Sequence, residues 1–246
     1  MVRVEAMASR PGAEIAVAAL NSPLDGQMAY FTAASVDLPI GSYRTLMLIY
    51  DPPSDKIQLA LQAVVPRGAT KPVTVYFDNI EVVPLPSFQR IPVAMDVDGT
   101  FDQDVSQVII NPMGMTGSVT FVPRSVSNNA YQLTLFPRDE AANLGVFATS
   151  LQDSFPHILL ASVDARLAFG QGGTTALVVT NGYGTVGLFT ANNDLPTDSS
   201  SWKRLIVGGQ FIRPNQTFPL LTVVQNGGPG VASSTMIDNL TIEKAR

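Results

Sequence analysis

Cysteine is absent from the 246 residues. The chain therefore forms no disulfide and holds no metal through thiolates. Histidine occurs once, as His157 beside Pro156. A Ser-His-Asp site needs such a base, but no Gly-x-Ser-x-Gly elbow accompanies it. His157 therefore reads as a strand-entry residue, and the chain as a non-enzyme. Only 14% of residues are charged, and the net charge is −5. Lysine and arginine form no stripe, which argues against nucleic acid as a partner. No apolar run approaches the ~18 residues of a membrane span. Met1-Val2-Arg3-Val4-Glu5 does not open a signal peptide. Long amphipathic helices are missing too, interrupted by 19 glycines and 18 prolines. The best helical candidate, residues 138–144, reads equally well as a loop. A surface this poor in charge suits a chain partly buried against partners.

What is present is alternation. Ile57, Leu59, Leu61, Ala63 and Val65 are separated by Gln58, Ala60 and Gln62, the pattern of a half-buried strand. Tyr131, Leu133 and Leu135 alternate with Gln132 and Thr134 in the same way, as do Val119 and Phe121 with Ser118 and Thr120. Turn signals recur every ~8–12 residues, including Asp51-Pro52-Pro53, Asn181-Gly182 and Asn226-Gly227-Gly228-Pro229-Gly230. The spacing predicts an all-β sandwich or jelly roll.

The chain also repeats itself. Phe31-Thr32-Ala33, Asp37-Leu38-Pro39 and Ser42-Tyr43-Arg44 return as Phe189-Thr190-Ala191, Asp194-Leu195-Pro196 and Ser201-Trp202-Lys203. Tyr76-Phe77-Asp78-Asn79-Ile80 returns as Met236-Ile237-Asp238-Asn239-Leu240. The offset is 159 at the aromatic and 160 at the aspartate, the size of a domain and not of a solenoid repeat. Residues 1–83 thus match only the second half of a unit that residues 92–246 hold whole. Between them, Pro84, Leu85, Pro86 and Pro92 make residues 84–91 a stiff linker.

The order of these elements resembles the galactose-binding-like jelly rolls of the carbohydrate-binding-module superfamily. The resemblance rests on Asn111-Pro112, Ala130-Tyr131-Gln132-Leu133, a central strand at 159–167, Ser201-Trp202-Lys203 with its Tyr43 counterpart, and the closing Asp-Asn strands. It covers most of 100–244 and all of 1–83. It implies tandem jelly-roll sandwiches, the first only half built. Met113-Gly114-Met115 stands where that family usually has Phe-Glu.

Candidate sites follow. A saccharide platform needs exposed flat aromatics, and Trp202, Tyr43 and Tyr183 are the candidates. The resemblance instead implies that Trp202 and Tyr43 begin strands and pack into the sandwich. By alternation Asp78 and Asp238 share a face with apolar neighbours, so each must be paired, metal-bound or hydrogen-bonded to loop amides. The family layout implies structural calcium there. Asp96, Asp98, Asp102 and Asp104 crowd nine residues and could supply oxygen ligands to calcium, or form a solvated acidic loop.

A half jelly roll leaves a sheet edge and an apolar face uncovered. The chain is a piece of a longer one, or another subunit supplies the strands, or residues 1–83 fold back on the complete unit. The first two are expected. The reading is a virion-associated or extracellular protein, of tail, fibre or capsid-decoration type. It would meet further copies of itself, other virion proteins or glycans. The alternative is a carbohydrate-binding module of a secreted polysaccharide-active enzyme, or a bacterial surface adhesin.

Overall fold

A computed structural model describes residues 1–11, 13–21, 29–35, 40–51, 57–64, 71–85, 87–102, 107–112, 116–122, 129–149, 151, 157–170, 174–181, 187–195, 200–211, 219–226 and 232–245. Among these residues there are seventeen strands and no helix. The first six are β1 (Val2–Ala8), β2 (Glu14–Asn21), β3 (Ala29–Ser35), β4 (Arg44–Tyr50), β5 (Ile57–Val64) and β6 (Val75–Val82). Then come β7 (Arg90–Pro92), β8 (Ile109–Ile110), β9 (Ser118–Val122), β10 (Ala130–Leu135) and β11 (Ala141–Phe147). The last six are β12 (His157–Phe169), β13 (Thr174–Asn181), β14 (Gly187–Asp194), β15 (Lys203–Phe211), β16 (Pro219–Asn226) and β17 (Ser233–Ala245). The all-β expectation holds. The segment 138–144, weighed above as helix or loop, is a turn running into β11. Ala141, Ala142 and Leu144 of this segment are buried, and burial against a facing sheet outweighs weak local helix preference.

Two sheets run the length of the molecule. One has the order β6-β1-β4-β15-β12-β17-β10-β9, with β7 also on β17. The other has the order β5-β2-β3-β14-β13-β16-β11-β8. The strands of residues 1–83 therefore extend the same two sheets that residues 92–246 build. At the junction, repeated segments meet their own counterparts. Thr32 pairs with Thr190 in the β3–β14 ladder, and Ile49 pairs with Gly208 in the β4–β15 ladder. Both ladders are antiparallel, so a local twofold axis relates the two copies. Gly208 is required there, since a Cβ would lie 2.2 Å from the Leu159 carbonyl oxygen.

Between the sheets lies one continuous core. Val2, Val4, Ala6 and Ala8 of β1 contribute to it together with Val163, Leu205, Leu240 and Ile242. Phe101 packs edge-on to Tyr131 at 5.0 Å between centroids, and Phe121 meets the same ring at 5.5 Å. Burial pushes the Tyr131 phenol above its ordinary pKa of 10.0. Above that pH the unfolded chain ionises this phenol while the folded chain keeps it protonated, so stability falls as pH rises. Tyr131→Phe should flatten this alkaline loss, read by denaturant titration between about pH 9 and 11.

One part of the core is polar. The Thr175 hydroxyl donates to Gln225 Oε1 at 2.6 Å, Thr235 donates to the same oxygen, and Gln225 Nε2 donates to Ser233 at 3.3 Å. All four residues are buried. Equivalent ladder positions in the first copy hold Ile15, Ala63 and Val75. Gln225→Ala strands two threonine hydroxyls and should cost about 2–4 kcal/mol in chemical denaturation. Installing the first copy's residues together (Thr175→Ile, Gln225→Ala and Thr235→Val) should return stability to within about 1 kcal/mol of wild type.

Candidate functional site

The outer face of the first sheet carries the polar residues. In β1 the buried side chains alternate with Arg3, Glu5 and Met7, and these three point away from the core. Arg3 lies between Met47 of β4 and Glu81 of β6. Glu5 lies between Thr45 and Asp78, and Met7 beside Tyr76. On this face lies a cleft of about 370 Å³. Arg3, Glu5, Asn79 and Glu81 supply its charged and amide groups; Thr45, Met47 and Gln210 complete it. Arg3 Nε is buried without a hydrogen-bond partner, which is costly for a guanidinium donor.

A β-bulge shapes this cleft. One extra residue of β6 is fitted between the pairs Arg3–Glu81 and Glu5–Asp78. Asn79 absorbs it with φ of 48°, a left-handed conformation that asparagine tolerates better than most residues. Its side chain donates to Glu5 Oε2 at 2.7 Å, and its backbone N–H donates to Asp78 Oδ1 at 2.8 Å. The second copy repeats the device. Asn239 has φ of 51°, donates to Asp164 Oδ2 at 3.0 Å, and its N–H reaches Asp238 Oδ1 at 2.6 Å. The repeated Asp-Asn pair is thus the signature of a bulge. It also breaks the simple alternation used above: Asp78 stays on the outer face with Tyr76, whereas Ile80, beyond the bulge, lies on the inner side.

The two copies differ where it matters. Ser162, Asp164, Arg204 and Thr241 of the second copy occupy the places of Arg3, Glu5, Thr45 and Glu81. There the polar groups satisfy one another. Arg204 donates to Ser162 at 2.8 Å and pairs with Asp164 at 3.5 Å, and Ser162 and Thr241 share a 2.7 Å hydrogen bond. The first copy's cleft is open and its second copy is closed.

The aromatic candidates divide in the same way. Trp202 is 38% and Tyr43 is 44% exposed, so neither packs into the sandwich as the resemblance implied. They precede strands whose inward positions are taken by Leu205 and Leu46. Arg166 lies over the Trp202 ring at 5.1 Å and also meets Met236 Sδ at 3.1 Å. The Trp202 face is therefore occupied. Tyr183 lies outside the described residues. Tyr76, 45% exposed, was not singled out from the sequence. It stands opposite Met7, on the face of the cleft, and the strict alternation of Val2–Ala8 with its partner strands was the signal that could have found it.

The remaining candidates lie elsewhere. The Asp98 carboxylate accepts from the Thr100 N–H at 3.2 Å and from its hydroxyl, and Asp102 accepts from the Asn129 N–H at 2.8 Å. The Asp96 N–H donates to the Phe147 carbonyl. Among the described residues no three His, Cys, Asp or Glu side chains gather as a metal site. His157 opens β12 opposite Phe211.

No protein-family model and no curated protein matches the chain. Solved structures do resemble part of it. A Stig cyclase, Fisc, from Fischerella sp. TAU is 15% identical, with a TM-score of 0.44 over 63% of this chain and 98% of its own. The enzymatically active domain of tailspike protein 4 of bacteriophage CBA120 is 14% identical, with a TM-score of 0.41 over 63% of this chain and 21% of its own. A family 16 carbohydrate-binding module is 16% identical, with a TM-score of 0.38 over 59% of this chain and 96% of its own. Those activities belong to the proteins named; the functional reading of this chain rests on its own residues.

The bulge gives a stability test. Asn239→Ala loses both the left-handed tolerance and the bond to Asp164, about 2–3 kcal/mol together. Asn239→Gly keeps the backbone conformation and should cost about half as much or less by chemical denaturation.

Proposed function

We propose that this chain is a non-enzymatic structural and binding protein of a virion, a tail, fibre or capsid-decoration component, that contacts glycan through the cleft on its first copy. The observation that carries the glycan part is the open cleft lined by Arg3, Glu5, Asn79 and Glu81. An array of donors and acceptors spaced along neighbouring strands suits a polyhydroxylated ligand. Tyr43 and Tyr76 add exposed rings, the stacking faces that sugars use. Arg3 is flanked by two carboxylates, so the cleft is net negative and favours a neutral polysaccharide over an acidic one. The low proportion of charged residues and the outer edges of β5 and β6, with which no described strand pairs, support the assembly part.

The same cleft would serve a carbohydrate-binding module of a secreted polysaccharide-active enzyme. The two readings separate by location. Mass spectrometry of purified particles would find a virion component at a stoichiometric level. An extracellular polypeptide joining this sequence to a catalytic domain would support the module instead.

Binding itself is tested on a panel of immobilised neutral and acidic polysaccharides. Retention on a neutral member should fall about tenfold or more for Tyr76→Ala and for Arg3→Ala, with stability changed by about 0.5 kcal/mol or less. Trp202→Ala should leave retention in place. Retention that depends on Trp202 and ignores Tyr76 would sink the proposed cleft.

A further inference from the structure

The two copies differ most at their outer edge. In the second copy β17 is covered along its whole length. β10 pairs with Ser233 to Ile237, the Leu240 N–H donates to the Gly99 carbonyl, the Val93 N–H donates to the Ile242 carbonyl, and β7 pairs with Glu243 to Ala245. Leu240 and Ile242 are 0% and 2% exposed. Their counterparts in β6, Ile80 and Val82, are 54% and 55% exposed. Among the described residues nothing pairs with the outer edge of β6, nor with that of β5 in the other sheet. Leu59 of β5 is exposed at the same end.

We infer that a second copy of this chain covers this end, β6 against β6 about a twofold axis, with the two β5 edges brought together alongside. Two features of the molecule select this occupant. First, the chain already joins sandwich to sandwich by antiparallel pairing of equivalent strands, at β3–β14 and β4–β15, through both sheets at once. The proposed interface continues the same two sheets by the same rule. Second, the bulge makes β6 self-complementary. Before it, Val75 and Phe77 face the core and Tyr76 faces out; after it, Ile80 and Val82 lie on the inner side and Glu81 faces out. Antiparallel self-pairing can then set Val75 opposite Val82, Phe77 opposite Ile80, and Tyr76 opposite Glu81. Inner apolar side chains meet inner ones, and the Asp78 carboxylate faces the Asn79 amide. No carboxylate faces a carboxylate, an arrangement that would be unfavourable.

This names a partner within the assembly reading and rests on that reading for its purpose, though not for its geometry. It also places two Arg3 clefts on one continuous face, so a polymeric glycan could engage both, with the gain in avidity that linked sites give.

The test is oligomeric state, measured by sedimentation equilibrium and native mass spectrometry up to about 100 µM. A dimer is expected. Ile80→Lys with Val82→Lys should give a folded monomer, and Phe121→Lys, on β9 at the far end, should leave the dimer intact. Because the chain has no cysteine, Tyr76→Cys with Glu81→Cys adds the only thiols. Five residues apart on one strand, they lie about 16 Å from each other and cannot bridge within a chain. Oxidation should link wild-type-like dimers covalently. A monomer throughout, open-ended oligomers sensitive to Phe121→Lys, or a dimer indifferent to Ile80→Lys would each overturn the proposal. So would native material in which another protein or a further segment of the polypeptide occupies β6. That last outcome would leave the assembly reading standing, whereas a dimer absent from particles would remove the virion assignment alone.

Discussion

Backbone hydrogen bonding at the β3–β14 and β4–β15 ladders makes two sheets out of what would otherwise be four. Among the described residues, 1–83 supply six strands, too few to enclose a core from both sides and both ends. Edge pairing gives their inner residues a neighbouring sandwich to continue. Val2, Val4 and Leu48 are buried in a cluster that also contains Val207, Leu205 and Ile242. Break the ladders, and those side chains lose the hydrophobic surroundings that hold β1 and β4 flat. The cleft is subject to the same constraint, since Gln210 reaches it from β15.

Much of the fold was legible in the residues. Alternation at 57–65 and 131–135 gave β5 and β10, and the repeat identified which strands correspond. Three things were not legible. Nothing in the sequence says that an incomplete unit will attach through its own equivalent strands, because ladder formation between distant edges depends on backbone geometry and not on side-chain pattern. The bulge was visible as a repeated Asp-Asn, yet its meaning was not. A single inserted residue reverses which side chains face inward, and a reading by twos runs straight through it. The segment 138–144 has no strong preference of its own, so burial of Ala142 and Leu144 decided its conformation.

The candidate site was legible only in part. Tyr43 lies on the relevant face, but Trp202 is engaged by Arg166. The groups that make the cleft are common surface types: one arginine, two glutamates, an asparagine, a glutamine, a threonine and a methionine. They become a site because four neighbouring strands, β1, β4, β6 and β15, set them side by side. In the second copy, replacing Arg3 by Ser162 and Thr45 by Arg204 converts the same lattice of positions into a closed hydrogen-bond network. Two copies of one framework have thus settled into different chemistry, one committed to structure and the other left available.

The long reach of the junction also governs how the chain must be made. β3 and β4 find their partners roughly 160 residues later in the sequence. At about 5–20 residues per second, a ribosome takes roughly 8–30 s to deliver them. During that interval the β3 and β4 edges stand without the partners they pair with in the finished fold, the state in which β-rich chains associate wrongly. Yield in the cell should therefore follow translation speed and chaperone supply more closely than the stability of the finished sandwich would suggest.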